Sequence, residues 1–488
     1  MMSQKKCIRT RFAPSPTGSM HIGNLRSALY EFLVAKSQGG VFILRIEDTD
    51  QKRQVEGALE IIYNTLKLAG IKHDEGPDVG GEYGPYIQSE RKELYLPYAL
   101  KLIEKKRAYY CFCSKDRLES IKQTAGQEMT KYDRHCMDLC ENDIKEKLAS
   151  GIPYVIRQKM PTEGSVTYND AVYGEITVPC NELEDQILIK SDGFPTYNFA
   201  NVVDDHLMAI THVVRGSEYV SSTPKYILLY EALEWDVPVF IHLPLITKEG
   251  GKKMSKREGD ASFTDLIEMG YLPEAIVNYV ALLGWSPRDN REIFSMKDLI
   301  EAFDITGISK SPSTFDFEKL NWMNREYIRK MDLEYFHTHA SKWYEITGLS
   351  EKIDCIKVSS LIKERIEFFS QIPEMTDFLV DFPKNYDLEM YNHKKMKTNT
   401  ENSIVYLEKS HNALAQLELW NEQTIENCLL NVVQALGVKN GQILWPVRTA
   451  ISGKQMTPGG AYEIADILGQ EETLKRIEMS IERLKAYK

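Results

Sequence analysis

A chain of 488 residues that is 43% hydrophobic and 27% charged has the make-up of a globular protein of two to four domains, and that composition excludes a disordered or fibrous chain. Its longest apolar runs, VFIL at 41–44 and YVALL at 279–283, fall far short of the roughly 20 residues of a bilayer span, so no membrane partner is expected. A net charge of −11 argues against a generic polyanion coat without bearing on a local basic patch. Eight cysteines are too sparse for a disulfide scaffold, which makes a reducing cytoplasm the expected compartment.

From the N-terminus, MMSQKKCIRT has no apolar h-region and passes directly into IRTRF at 8–12, which alternates as a strand does. Pro14, Pro16 and Gly18 then break the chain. Ile22, Leu25, Leu29 and Phe32 recur at spacings of three, four and three, one apolar face of a helix with Ser19 near its start. A second strand, VFILRIE at 41–47, ends in the acidic cluster EDTD. Strand, helix, strand predicts a right-handed crossover between parallel strands, with ligands bound beyond their carboxyl ends. The 14–24 loop and Glu47 share that edge, where a helix N-terminus and close backbone approach at Gly18 and Gly23 suit a phosphate, and so a nucleotide. The loop is neither a P-loop, since Asn24 and Leu25 replace the required Lys and Ser/Thr, nor GxGxxG.

Further along, CFC at 111–113 and HCMDLC at 135–140 supply Cys111, Cys113, Cys136 and Cys140. Four thiolates at this spacing could hold a tetrahedral zinc ion, and reduced, unligated cysteines fit the same residues equally. Cys7, Cys180, Cys355 and Cys428 read as packing residues. The sheet pattern resumes at ILIKSDGFPTYNFANVVDD, and VFIHLPLI leads into TKEGGKKMSKREG at 247–259. Four cations in KKMSKR suit phosphoryl oxygens, although alone such a run would read as a solvated turn. The fold expected is α/β, with a Rossmann-like parallel-sheet domain from 1–95 and 185–262 interrupted by an inserted domain at 96–184. A helical region at 263–330 follows, then an all-α region at 331–488, where Leu474, Ile477, Ile481 and Leu484 space as a helix face.

HIGN at 21–24 and KMSKR at 253–257 resemble the HIGH and KMSKS signatures of class I aminoacyl-tRNA synthetases in order and separation. Together with RFAPSPTG, RIEDTD, FPTYNFANVVDD, THVVRG and WPVRTAISGKQMTPGGAYEIADILG, the chain resembles the bacterial-type glutamyl-tRNA synthetases from residue 8 to near its C-terminus. The resemblance implies ATP-dependent activation of L-glutamate to glutamyl-adenylate and transfer to the terminal ribose of tRNA-Glu, with tRNA-Gln left open as a second acceptor. It implies Mg²⁺ on the ATP phosphates, an acceptor-gripping insertion and an anticodon-binding helical region; a monomer is expected.

By the same resemblance, His21, Lys253 and Lys256 neutralise charge on the phosphates, and Ser15, Gly23, Asn24 and Met254 complete the ATP site. Glu47 meets the glutamate ammonium, Arg11 and Arg215 are its carboxylate forks, and Ala13, Ser15, Tyr197 and Asn201 support them. Tyr219 stands where some relatives carry Trp. Relatives that bind zinc use C-x-C followed by C-x-H; Asp138 occupies that histidine position, so Cys140 or His135 would substitute. Two rivals are a glutaminyl-tRNA synthetase, whose usual signature is RFDDTNP and whose C-terminal half is a β-barrel, and a tRNA-independent nucleotidyltransferase, which would not need the long helical region.

Overall fold

A computed structural model describes residues 7–18, 20–50, 54–124, 131–247 and 262–487. Ser19, Lys253, Met254 and Lys256 lie outside them. The chain forms two compact units, one comprising the sequence up to Leu266 together with Ile276–Asp316, the other Ile267–Ala275 together with the sequence from Phe317.

In the first unit, the N-terminal crossover forms as its apolar spacing predicts: strand β1 (Arg9–Phe12), helix α1 (Ile22–Lys36) and strand β2 (Val41–Leu44). The two strands are parallel, with Arg11 opposite Ile43. Helix α1 departs from a simple one-faced pattern, because Leu25, Arg26 and the whole of Ala28–Ala35 are buried. Polar side chains on its far side reach backbone carbonyls rather than solvent: the Tyr30 hydroxyl donates to Ala281 O (2.9 Å), and the Arg26 guanidinium donates to the carbonyls of Leu283 and Pro244.

Next come α2 (Ala58–Leu68), α3 (Lys92–Glu104), β3 (Ala108–Cys111), α4 (Lys115–Thr124), α5 (Glu141–Ala149) and β4 (Val155–Gln158). They are followed by β5 (Ser165–Asp170), β6 (Gly174–Pro179), β7 (Ile187–Ile189), α6 (Tyr197–Leu207), β8 (His212–Gly216), α7 (Thr223–Leu233) and β9 (Val239–Leu243). Strands β3, β4 and β7 make a small antiparallel sheet, while the β5–β6 hairpin leaves it and extends a second sheet in the order β6-β5-β9-β8. Strands β8 and β9 are parallel, with Arg215 opposite His242. The amide of Thr211, just before β8, donates to Arg9 O on β1 (2.9 Å), so the two parallel pairs adjoin and their carboxyl ends face one edge.

The second unit is helical from Phe317 to Tyr487, apart from an isolated bridge between His393 and Thr398. On its last helix, Gln470–Ala486, the predicted face packs inward: Ile477, Ile481 and Leu484 are buried, with Leu474 at the margin. Arg476 is buried beside them and donates to Phe378 O (2.8 Å) and Ile451 O (2.9 Å), near the ends of two other helices. Those terminal carbonyls have no partner within their own helices, which gives a buried cation a structural purpose.

Candidate functional site

At the carboxyl end of β1 the chain turns through Gly18, whose φ of +112° only glycine adopts without strain, and enters α1 with His21 as its N-cap. His21 Nδ1 accepts from the Asn24 amide (3.3 Å) while the ring stays exposed. In the neutral ring the proton therefore sits on Nε2. Gly23 is required by this arrangement: a Cβ there would lie 2.9 Å from His21 Cε1. Ser262, the first described residue after the basic stretch, pairs with His21 in an antiparallel bridge. The beginning of the HIGN motif thus lies beside Ser262.

The backbone past β1 and β2 continues their pairing, with the Glu47 amide donating to Pro14 O (3.0 Å), so Ala13 and Ser15 flank Glu47. Beneath them lies a row of alternating buried charges. Arg11 Nη1 donates to Glu31 Oε1 (3.2 Å) and its Nε to Asp205 Oδ1 (2.8 Å). Arg45 Nη1 donates to the same Asp205 oxygen (2.8 Å) and its Nη2 to Glu47 Oε1 (3.1 Å). Every side chain in the row is at most 4% exposed. Three carboxyls share two guanidiniums, so the fully ionised row carries one excess negative charge. Burial acts on all three; Arg11 and Arg45 still hold Asp205 below its ordinary range, whereas Glu31 is driven well above it. At the end of the row, burial pushes Glu47 up to about 7 against the pull of Arg45 and Arg11. Its Oε2 is buried without a hydrogen-bond partner.

Facing Glu47 is helix α6. Tyr197 stands in its first turn, and burial followed by the nearby Glu47 carboxylate drives its phenol well above the ordinary value. Asn201, one turn later, has a buried Nδ2 without an acceptor. Arg215, at the carboxyl end of β8, is 7% exposed and held among rings, 4.6 Å from the Tyr226 centroid and 5.2 Å from that of Tyr219. Its Nε and Nη2 bond to His242 and Thr223, and no carboxylate among the described residues pairs with it. That burial rules out a surface ion pair. Of the two candidate carboxylate forks, Arg11 has its Nε and Nη1 engaged by Asp205 and Glu31, while its Nη2 has no hydrogen bond to either.

Of the four candidate cysteines, the structure brings three together. The Sγ atoms of Cys111, Cys113 and Cys136 lie within 4.8 Å of one another. Cys140 is not with them: it is exposed and its sulfur caps α5, accepting from the Asp143 amide (3.4 Å). His135 is exposed as well. The fourth polar atom is the Tyr132 hydroxyl, 3.2 Å from Cys111 Sγ and 3.3 Å from Cys113 Sγ. Three thiols this close, two buried and one half-buried, could share one zinc ion, with the Tyr132 hydroxyl as the nearest fourth oxygen. Of the other cysteines, Cys180 is buried and Cys7 exposed.

Sequence reasoning missed Glu31, Arg45 and Asp205. Arg45 left a signal, a cation inside the buried strand pattern VFILRIE, as did the acidic pair closing NFANVVDD; their partners were out of reach, since Arg45 and Asp205 are 160 residues apart.

Comparison with known proteins shows the family. Residues 7–322 match the family model for the catalytic domain of class I tRNA synthetases (E and Q), and residues 320–481 match an anticodon binding domain. The chain belongs to the class I tRNA synthetases of the E and Q branch. It is 59% identical over 479 residues to the glutamate–tRNA ligase of Clostridium acetobutylicum, covering 98% of this chain and 99% of that protein. A glutamate–tRNA ligase of Clostridium botulinum is likewise 59% identical over 481 residues, at the same coverage. The crystal structure of a glutamate tRNA ligase from Elizabethkingia meningosepticum in complex with its amino acid superposes with a TM-score of 0.89 at 36% identity, over 98% of this chain and 100% of that one. Among the described residues no helix is long and apolar enough to cross a membrane.

Proposed function

We propose that this chain is a glutamate–tRNA ligase, which activates L-glutamate with ATP and transfers it to tRNA-Glu. The observation that carries the choice of amino acid is the opposition of a buried cation and a buried anion, each short of a partner: Arg215 without a carboxylate, Glu47 with an unpaired Oε2. Uncompensated buried charge is costly, so the site favours a ligand bearing the complementary groups. Glu47 takes the ammonium and Arg215 the side-chain carboxylate, with Tyr197, Asn201 and the remaining Nη2 of Arg11 at the walls.

In the first step, an α-carboxylate oxygen forms a bond to the α-phosphorus of ATP as the bond to pyrophosphate breaks. In the second, a terminal ribose hydroxyl attacks the glutamyl carbonyl and AMP leaves. The protein's work is alignment and charge neutralisation. His21, with its proton on Nε2, and the α1 N-terminus at Gly23 donate to phosphate oxygens beside Ser15, with the Asn24 side chain at the same edge; Lys253, Met254 and Lys256 act from the basic stretch. Mg²⁺ accompanies the ATP phosphates. Zinc, where present, is held by Cys111, Cys113, Cys136 and Tyr132 and organises the β3–α5 region without entering the reaction. The helical second unit favours this reading over a glutaminyl enzyme with a β-barrel half. Glutamyl-tRNA formation from purified components tests it: Lys256→Ala with near-normal rate, instead of a loss of ~10²-fold or more, removes the basic loop from the mechanism.

A further inference from the structure

Strands β5, β9 and β8 bring Asp170, His242 and Arg215 into one row across the sheet. Arg215 and His242 are register partners in the parallel β8–β9 ladder, and Asp170 joins β9 at Phe240. Asp170 Oδ2 accepts from His242 Nδ1 (2.7 Å) and from the His242 amide (3.2 Å), while Oδ1 accepts from the amides of Val172 (2.9 Å) and Tyr173 (2.8 Å). The carboxylate is thereby fixed in orientation. With the imidazole proton on Nδ1, Nε2 is an acceptor, and Arg215 Nε donates to it (3.3 Å). Thr223 Oγ1 donates to Tyr219 O (2.9 Å), accepts from Arg215 Nη2 (2.9 Å) and also lies 3.2 Å from His242 Nε2. Asp170, His242 and Thr223 are at most 1% exposed.

His242 and Thr223 therefore engage the side-on edge of the guanidinium, Nε with one hydrogen of Nη2. The end-on edge, Nη1 with the second hydrogen of Nη2, is left for an incoming carboxylate. We propose that Asp170 and His242 are positioning residues for amino-acid recognition, fixing the tautomer and orientation that aim Arg215 end-on at the substrate carboxylate. The inference rests on the assignment of Arg215 to that carboxylate. Burial holds the imidazole below its ordinary pKa against the pull of Asp170, with Arg215 opposing its charge and Glu218 favouring it, which agrees with a neutral acceptor ring. The tautomer matters to Arg215 because an N–H on Nε2 would face the arginine's own N–H, and its alternative acceptor, Thr223 Oγ1 (3.2 Å), already takes a hydrogen bond from Arg215 Nη2.

The test is aminoacylation of tRNA-Glu with four full-length variants, measuring KM for glutamate and for ATP and discrimination against glutamine. Asp170→Asn keeps volume and the Oδ1 contacts but presents an N–H₂ to Nδ1, driving the ring proton to Nε2. His242→Leu removes the acceptor, and His242→Gln returns one through its amide oxygen. Asp170→Asn and His242→Leu are expected to raise the glutamate KM by about tenfold or more and weaken rejection of glutamine, with a far smaller change in the ATP KM; His242→Gln is expected to recover most of the loss. Arg215→Ala separates the two claims. If it leaves the glutamate KM unchanged, the assignment of Arg215 itself is wrong. If it raises that KM while Asp170→Asn and His242→Leu do not, or if those two raise both KM values alike, the positioning role is overturned and the assignment stands.

Discussion

Arg45 Nη2 donates to Glu47 Oε1 at 3.1 Å, two residues along the same extended segment, with neither side chain more than 2% exposed. The same guanidinium bonds Asp205 on α6, so the strand carrying Glu47 and the helix carrying Tyr197 and Asn201 are tied through one buried cation. Replacing it by an apolar side chain leaves carboxyls buried with too little positive charge. Arg45→Met is expected to lower stability by about 3 kcal/mol or more, read as an earlier first transition in denaturant unfolding. A wild-type transition would mean that the charge row does not hold the site together.

Glu47 gives the site a pH dependence. Its carboxyl is raised to about 7 in the folded protein from an ordinary 4.5, chiefly by burial. Its own contribution to stability is thus fully present below pH 4.5 and lost as the pH rises through about 7, the reverse of a salt-bridged acid. Binding runs the other way, since the ammonium needs the ionised form. The KM for glutamate should rise by up to ~tenfold per unit as the pH falls below 7. Glu47→Gln should bind glutamate poorly and flatten this profile; a profile of unchanged shape would place the titration elsewhere.

Gly23 is held to glycine by the His21 ring, whose Cε1 and Nδ1 would lie 2.9 and 3.0 Å from an added Cβ. Gly23→Ala should displace the imidazole from its cap and lower kcat/KM for ATP by ~10²-fold, with little change in unfolding temperature, because an exposed ring can move aside. Wild-type ATP kinetics would separate His21 from the chemistry.

For the cysteine cluster, elemental analysis of chelator-free protein should find about one zinc per chain. The metal should be lost in Cys136→Ser and weakened in Tyr132→Phe but retained in Cys140→Ser. Loss on Cys140→Ser would restore the four-cysteine set against the geometry.

The crossover β1–α1–β2, the edge shared by the 14–24 loop and Glu47, and the inward face of the last helix were legible because each depends on local periodicity. The charge row was not, since Arg11 and Arg45 find Asp205 194 and 160 residues away, and the same ion-pairing residues in sequence would serve a surface equally well. Arg215 was legible as a ligand candidate, but its rings and the Asp170–His242 pair come from strands whose order in the sheet no local pattern dictates. Tyr132 escaped notice because a phenol among cysteines reads as packing, and Cys140 drew attention by spacing although its sulfur serves a helix end.

On the proposed reading, a buried guanidinium without a carboxylate and a buried carboxylate with one unbonded oxygen select glutamate for attachment to tRNA-Glu. Charging of tRNA-Glu by the wild-type chain with glutamate and glutamine in parallel tests it most directly. A neutral amide leaves Arg215 unpaired, so kcat/KM should favour glutamate by about 10³-fold or more. Equal charging with glutamine, or adenylate formation that never passes to tRNA, would contradict it.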